Sequence, residues 1–380
     1  MSTISYNYAI IGAGAAGLNL ALAMVDHPHF RDKSILILDP DQKIANDKTW
    51  SFWETSDNKL DQIVSKKWNK TVFTDRKGVS QHLDLKPYTY KMIHALDFYT
   101  HAKTCLGRYS NIVWKQDKVD HIENEEMIIT EQAEYKVDGH IFDSRISGKF
   151  NTDTSSIKLL QHFKAWVIET DQDHFDDSSF VMMDFSLIWK DTTSFTYVLP
   201  YSAKKALIEF TFFSPELVQD QDYDQMIERY IKEHLNIAEY SVTDVEKGVI
   251  PMSDFPFHKA SSKKVTKIGT AGSWVKPSTG YSFQNAICFS KEITENIAKG
   301  RRPAEGLLSA KHRFYDALFL DVLYSKNEMG PDLFASMYQK NKIQKIFKFL
   351  NEKTSLLEDL KIMATFPKAP FTKALVGKVF

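Results

Sequence analysis

The chain has 380 residues, long enough for two domains or for one α/β domain carrying a large insertion. Its 48 basic and 49 acidic residues leave a net charge of −1, without the basic surplus of a dedicated nucleic-acid binder. At 43% apolar, with 12 prolines and 15 glycines, it is not a disordered chain, and its 26 Phe, 16 Tyr and 7 Trp either fill a core or line a pocket for a large apolar ligand.

In chain order, residues 6–11 read as a buried strand, Ala15 to Met24 as a helix ended near His27-Pro28, and residues 34–39 as a second buried strand. This strand–helix–strand unit starts a parallel sheet. The stretch from Tyr8 to Val25 is uncharged over eighteen residues, yet Gly12, Gly14, Gly17 and Asn19 interrupt it and no Lys or Arg precedes it. It is therefore expected to be strand, turn and helix, not a signal peptide or anchor. After Asp39 the pattern turns irregular, with Trp50, Trp53 and Trp68 in polar surroundings. Residues 91–106 are expected to be helical, on the spacing of Met92, Ile93, Leu96 and Tyr99. Short strands follow at 112–114, 126–130 and 140–143. The β-branched and aromatic stretch 156–215 predicts an antiparallel sheet, with a helix near 222–235 behind it. Residues 265–268 read as a further strand leading into the turn Gly269–Gly272, and from about 284 the chain is mostly helical and rich in lysine.

Gly12, Gly14 and Gly17 form a G-x-G-x-x-G between the first strand and helix. Gly12 permits a tight turn, Gly14 lets the backbone approach a pyrophosphate, and Gly17 lets helix and strand pack closely. The helix beginning at Ala15 offers free N–H groups and a positive dipole end to phosphate. Asp39, twenty-two residues after Gly17, ends the second strand, where a carboxylate accepts from an adenosine ribose. The acid favours FAD or NAD over NADP. A second glycine-containing segment, from Gly269 through Gly272, Pro277, Thr279 and Gly280 to Tyr281, precedes a helix expected near Ser282. In two-part flavoproteins such a late turn completes the site opened by the first, so this reading implies FAD held between the N-terminal and C-terminal thirds.

Glu209 lies on a predicted strand within Ala206-Leu-Ile-Glu-Phe-Thr-Phe-Phe213. Period 2 puts it on the face of Leu207 and Thr211, opposite Ile208 and Phe210. Burial there would raise its pKa and suit it to donate a proton; the alternatives are an ion pair with Lys or Arg, or a solvent-facing position. Asp184 and Glu54 are further carboxylates for such a cavity, or surface groups. Asp143 and Arg145 end a strand where cofactor contacts occur, or form a local ion pair. Trp50, Phe52 and Trp53 supply π-faces to a cation, or pack a core. The two cysteines, Cys105 and Cys288, exclude a disulfide scaffold, and the twelve histidines show no ligand spacing, so no metal is expected. Residues 361–380 carry four lysines, no acid and several apolar residues, interrupted by Pro367 and Pro370. Such a segment rests on an anionic bilayer or is a solvated tail.

Residues 46–53 (Asn-Asp-Lys-Thr-Trp-Ser-Phe-Trp), 142–145, 183–185, 197–201, 206–211, 248–252 and 272–281 resemble, in order, segments of the lycopene β-cyclases of bacterial carotenoid pathways. The most specific are Pro277-Ser-Thr-Gly-Tyr281 and Leu207-Ile-Glu-Phe-Thr211. The resemblance implies an α/β, glutathione-reductase-like FAD/NAD(P)-binding domain of Rossmann type, with an inserted β-sheet substrate domain and C-terminal helices. Those parts are expected at 1–50, 91–150 and 260–305 for the FAD-binding domain, 51–90 and 151–259 for the carotenoid domain, and 306–380 for the helical segment. The implied reaction protonates a terminal double bond of lycopene, closes a ring on the resulting cation and releases a proton. The ψ-ends become β-ionone rings, giving γ-carotene and then β-carotene, with no net redox change. Relatives require reduced FAD, with NAD(P)H as the source of electrons. The resemblance also implies a cytoplasmic protein held peripherally at the inner face of the cell membrane, where its lipophilic substrate dissolves. Plant relatives carry two adjacent glutamates where this chain has Glu209 followed by Phe210. An FAD-dependent monooxygenase, an isoprenoid reductase or a flavin-binding protein without catalysis are the rival readings.

Overall fold

The computed structural model describes residues 5–379. Strand β1 (Ser5–Ile11), helix α1 (Ala15–Asp26) and β2 (Ile35–Asp39) open the chain as expected. The stretch read as irregular holds strands: β3 (Thr49–Glu54), β4 (Lys66–Trp68), β5 (Lys70–Thr74), β6 (Ser80–Asp84) and β7 (Thr89–His94). Helix α2 (Ala95–Leu106) therefore starts four residues later than its predicted position. Met92 and Ile93 belong to β7, where Ile93 pairs with Trp50 and Met92 with Ser51 of β3. The end of a short strand merges, in sequence, with the helical period that follows it.

Next come β8 (Ile112–Gln116), β9 (Val119–Glu123), β10 (Met127–Thr130), β11 (Glu134–Asp143) and the short α3 (Lys149–Thr152). The predicted antiparallel region contains β12 (Lys158–Glu169), β13 (Phe180–Asp184), β14 (Thr193–Ser202) and β15 (Lys205–Ser214), followed by α4 (Asp220–Glu233) and β16 (Ser241–Ser253). After β17 (Val265–Lys267) the chain is helical: α5 (Phe283–Ala298), α6 (Ala310–Ser325), α7 (Gly330–Lys340), α8 (Ile343–Leu350), α9 (Leu356–Met363) and α10 (Lys368–Val379).

One seven-stranded sheet has the order β8-β2-β1-β11-β10-β9, with β17 also on β11. Its centre is parallel: β8, β2, β1, β11 and β17 run the same way. One face packs against α1, α2 and α5 through Ile10, Leu18, Phe98 and Ile287; the other buries Ala9, Ile11, Leu36 and Leu38. Burial on both faces explains why β1 and β2 read as continuous apolar runs. A second seven-stranded sheet, β16-β12-β15-β14-β13-β5-β6, is antiparallel apart from β13 with β5. Its alternation separates two cores. Ile208, Phe210 and Phe212 pack on α4, while Leu207 and Phe213 face α7 and α8. Each fully buried side chain of this size stabilises the sheet by roughly 1.5–3 kcal/mol. A small sheet, β3-β7-β4, completes the strands. Among the described residues no helix is long and apolar enough to cross a membrane.

Candidate functional site

The glycine triplet occupies the bend between β1 and α1. Gly12 has φ +101°, and a Cβ there would meet Ser144 Oγ at 2.0 Å. Gly17 lies so close to the strand that its Cβ would fall 1.9 Å from the Gly12 carbonyl oxygen. Gly14 differs: nothing lies within 4 Å of a Cβ built on it. It is the N-cap of α1, with no side chain capping the helix and no acid in its first turn, which begins at Ala15. The dipole end is left open toward an unobstructed approach, the arrangement that suits a pyrophosphate. Asp39 ties the neighbouring turns together. Its Oδ2 accepts from Ala13 N–H at 2.6 Å and its Oδ1 from Asp41 N–H at 2.8 Å, with Lys43 Nζ 3.5 Å away. A carboxylate has about four acceptor positions, so ribose hydroxyls can still be bound.

The late turn comes back to this point. Gly269 sits against the first turn of α1, with a Cβ placed 3.1 Å from that of Ala16, and Gly272 packs on the Lys267 carbonyl. Pro277 is fixed from both sides. Lys276 Nζ donates to Asp316 Oδ2 at 2.9 Å and Ser278 Oγ to Asp316 Oδ1 at 2.6 Å. Lys276 also pairs with Glu352 at 3.2 Å. Burial disfavours its charge, but Asp316 and Glu352 more than offset this and hold its pKa up. Gly280 has φ +73°, and a Cβ there would lie 1.8 Å from Gln161 Oε1. Two buried side-chain oxygens here, Gln161 Oε1 and Thr279 Oγ1, have no partner in the chain. Both belong to the wall of one cavity. Buried polar atoms normally find partners, so this pair marks a place where a ligand supplies them.

Asp143 ends β11 beside Ile11. Its carboxylate accepts from Arg145 at 3.0 Å and Lys267 at 2.8 Å, tying β11 to β17. Burial opposes its charge, and the two cations override that to lower its pKa. Of the other carboxylates singled out in the sequence, Asp184 accepts from Tyr230 OH at 2.8 Å, and Glu54 pairs with Lys91 at 2.7 Å. Neither lines the cavity. Phe52 and Trp53 serve the cores, Trp53 stacked on Phe347 at 4.3 Å, whereas Trp50 stacks on Phe283 at 5.1 Å in the cavity wall.

That cavity, of about 160 Å³, lies between the second sheet, the late turn and α7. Among the described residues Glu209 is its one carboxylate, and no Lys, Arg or His lines it. Aromatic side chains dominate the rest, among them Tyr90, Phe163, Tyr197, Phe213 and Tyr281. Tyr90 and Tyr197 share a hydrogen bond of 2.8 Å. Glu209 keeps some accessible surface because it faces the cavity, while protein closes around it on every other side. Burial pushes its carboxyl up from 4.5 to about 8, against the lowering effect of a hydrogen bond from Thr211. A neutral, water-shielded acid facing aromatic rings can protonate an apolar substrate, and the rings can stabilise the cation formed.

Sequence reading missed Glu246 on β16. It accepts from Thr49 N–H at 2.9 Å, its pKa is raised by burial, and its charge contributes to raising that of Glu209. Nothing local distinguishes it from the exposed charges around it in Val245-Glu-Lys247. Tyr197 and Tyr281 were within reach, because both lie in the segments that carry the family resemblance.

Fold and site together define an α/β protein of Rossmann type whose second sheet encloses an apolar cavity with a single acid. The family described as Lycopene cyclase protein matches residues 7–376, and the chain belongs to this family of enzymes of carotenoid biosynthesis. No curated protein matches the sequence. Solved structures share the fold at low identity. A geranylgeranyl bacteriochlorophyll reductase-like protein from Thermoplasma acidophilum has TM-score 0.62 and 11% identity, over 97% of this chain and 98% of that one. The flavin-dependent brominase Bmp2 gives 0.62 and 14%, over 99% of each chain. A single-residue variant of Klebsiella pneumoniae HpxO, complexed with FAD, gives 0.56 and 13%, over 96% and 100%.

Proposed function

We propose that this chain is a lycopene β-cyclase, with Glu209 as the acid that starts ring closure. The observation that carries the reading is the position of Glu209 as the one carboxylate in an aromatic cavity that also holds no cation. Held neutral up to about pH 8, the Glu209 carboxyl donates its proton to the terminal double bond of a ψ-end. The neighbouring double bond attacks the tertiary cation and closes a six-membered ring. The Glu209 carboxylate left by the first step takes a proton back from the ring, so the acid is restored and the product is an isomer of the substrate. The aromatic rings of the wall, Tyr197 and Tyr281 among them, stabilise the cation while it lasts.

The residues present fit FAD. The open N-terminus of α1 and the unobstructed Gly14 would hold the pyrophosphate, Asp39 the ribose, and the turn from Gly269 to Gly280 the remainder, with Thr279 and Gln161 supplying unpaired oxygens. When bound, FAD reduced at the expense of NAD(P)H would supply negative charge that favours a cation forming nearby. FAD complexed with HpxO, a protein of the same fold, supports this cofactor. A lipophilic substrate requires a lipid phase, and the reading places the protein peripherally at the cytoplasmic face of the cell membrane.

The test is anaerobic incubation with lycopene in liposomes, with bound FAD either chemically reduced or oxidised, for the wild type and Glu209→Gln. Cyclic product of unchanged mass, formed only with reduced flavin and lost in the variant, is the expected result. A product changed in hydrogen or oxygen content would replace the cyclase by a reductase or monooxygenase, and unaltered lycopene throughout would leave a flavin-binding protein.

A further inference from the structure

Glu209 and Thr211 stand two residues apart on β15 and so share one face of the sheet. Thr211 is fully buried, and its cross-strand neighbours are Phe163 on β12 and Phe195 on β14. Both phenylalanines belong to the wall of the Glu209 cavity. Phe163 lies opposite Gly248 on β16, where a Cβ would meet its ring at 2.4 Å. The Thr211 hydroxyl is thus set among apolar neighbours, and among the described residues it has one partner: it donates to Glu209 Oε1. Glu209 Oε2 makes no hydrogen bond among the described residues, yet it is not one of the sealed-off oxygens left without a partner. It keeps some surface, on the side chain that lines the cavity.

This arrangement decides where a neutral Glu209 carries its proton. A protonated carboxyl has one O–H and one carbonyl oxygen. With the proton on Oε1, the carboxyl would be the donor to Thr211, and the threonine hydrogen would be left in an apolar wall with no acceptor. With the proton on Oε2, Thr211 donates to a carbonyl Oε1 and its hydroxyl is satisfied. Leaving a buried donor unpaired is costly, so the second arrangement is favoured. The branched Cβ of threonine restricts its rotamers and fixes the direction of the bond. The same bond is stronger to a carboxylate than to a neutral acid, so it tightens as the proton leaves.

We propose that Thr211 is a positioning residue: by donating to Glu209 Oε1 it keeps the acidic proton on Oε2, toward the cavity, and it stabilises the carboxylate formed when that proton is given up. The part this plays in ring closure rests on the cyclase reading; the place of the proton does not. The proton passes from Oε2 to the terminal double bond, Oε2 takes one back from the ring, and Thr211 keeps its own hydrogen throughout.

The test uses the full-length FAD-loaded protein, chemically reduced, with lycopene in liposomes, and compares the wild type with Thr211→Val, Thr211→Ser and Thr196→Val. Thr196 on β14 lies opposite Phe210, on the face that packs against α4, and its buried hydroxyl has no partner. Its valine variant controls for the loss of a threonine hydroxyl alone. Thr211→Val keeps the side-chain shape and should lower conversion at about pH 6 by about tenfold or more. It also removes a hydrogen bond that favours the charged acid, so the falling limb of the pH–rate profile should move to higher pH. Thr211→Ser should restore both properties, and Thr196→Val should change neither. A lowered rate with an unmoved limb would reduce Thr211 to packing and overturn the proposal, as would a Thr211→Val protein as fast as wild type. Difference infrared spectroscopy needs no turnover. The protonated-carboxyl band that is lost in Glu209→Gln should move to higher wavenumber in Thr211→Val, where the carbonyl oxygen no longer accepts a bond; a band left in place would overturn the placement of the proton. If the band moves while the wild type leaves lycopene unaltered, the cyclase reading falls and the placement stands.

Discussion

Glu209 on β15 and Glu246 on β16 lie in one cross-strand row, each opposite Ala165 on the strand between them. Tyr197 extends the row on the other side of Glu209. Cross-strand partners share a face, so two carboxyls stand about 10 Å apart on one side of the sheet with only a methyl group between them. Burial is the main cause of the raised Glu209 pKa, and the charge of Glu246 adds to it.

Cyclisation is therefore expected to be fastest at low and neutral pH and to fall as pH rises through about 8, where Glu209 loses its proton. In Glu246→Gln one source of that elevation is gone, so the falling limb should move to lower pH. A pH–rate series on both proteins measures it; coincident limbs would show that Glu246 does not act on the acid.

Stability carries the same signature with a definite sign. Between the unfolded value of 4.5 and the folded value of about 8, native Glu209 keeps a proton that the unfolded chain has released. Stability thus declines as pH rises across that window. Glu209→Gln should flatten the decline, unfolding at higher denaturant than wild type at pH 9 and near the same concentration at pH 4. Urea titrations at the two pH values decide it.

Gly14 and Gly17 should separate cofactor binding from folding. Gly14→Val places its side chain in open space, so apo-protein stability should change by less than about 1 kcal/mol while FAD affinity drops. Gly17→Ala drives a methyl into the Gly12 carbonyl and should cost about 1–3 kcal/mol even without cofactor. Thermal unfolding of apo-protein together with FAD titration reads both effects.

Lys276 is a buried cation held by Asp316 and Glu352. Lys276→Met leaves Asp316 buried without its partner and should destabilise by about 3–5 kcal/mol. Lys276→Met with Asp316→Leu should recover much of that loss. A double variant no better than the single one would place the effect in the turn around Pro277 and not in the charge.

Much of the first, largely parallel sheet is legible because its signals are local. The apolar runs of β1 and β2, the glycines between them and Asp39 fall within forty residues of each other. Glu209 is legible because apolar residues flank it on a strand. The strands from Thr49 to His94 are not, since edge strands such as Ser80–Asp84 alternate with exposed residues and take their order from distant partners. The place of Glu246 depends on a register between segments far apart in sequence, which no window of sequence contains.

The row through Ala165 also bears on fidelity. A strand shifted by one residue turns every side chain to the opposite face, which would carry Glu209 from the cavity into the core beside α4 and bring Ile208 or Phe210 in its place. A wrongly paired β15 would then make no slow or promiscuous enzyme; it would have no acid at all. With Glu209 as the proposed acid, activity is in effect a proofreading signal, given only by chains whose β12, β14, β15 and β16 have found their proper alignment.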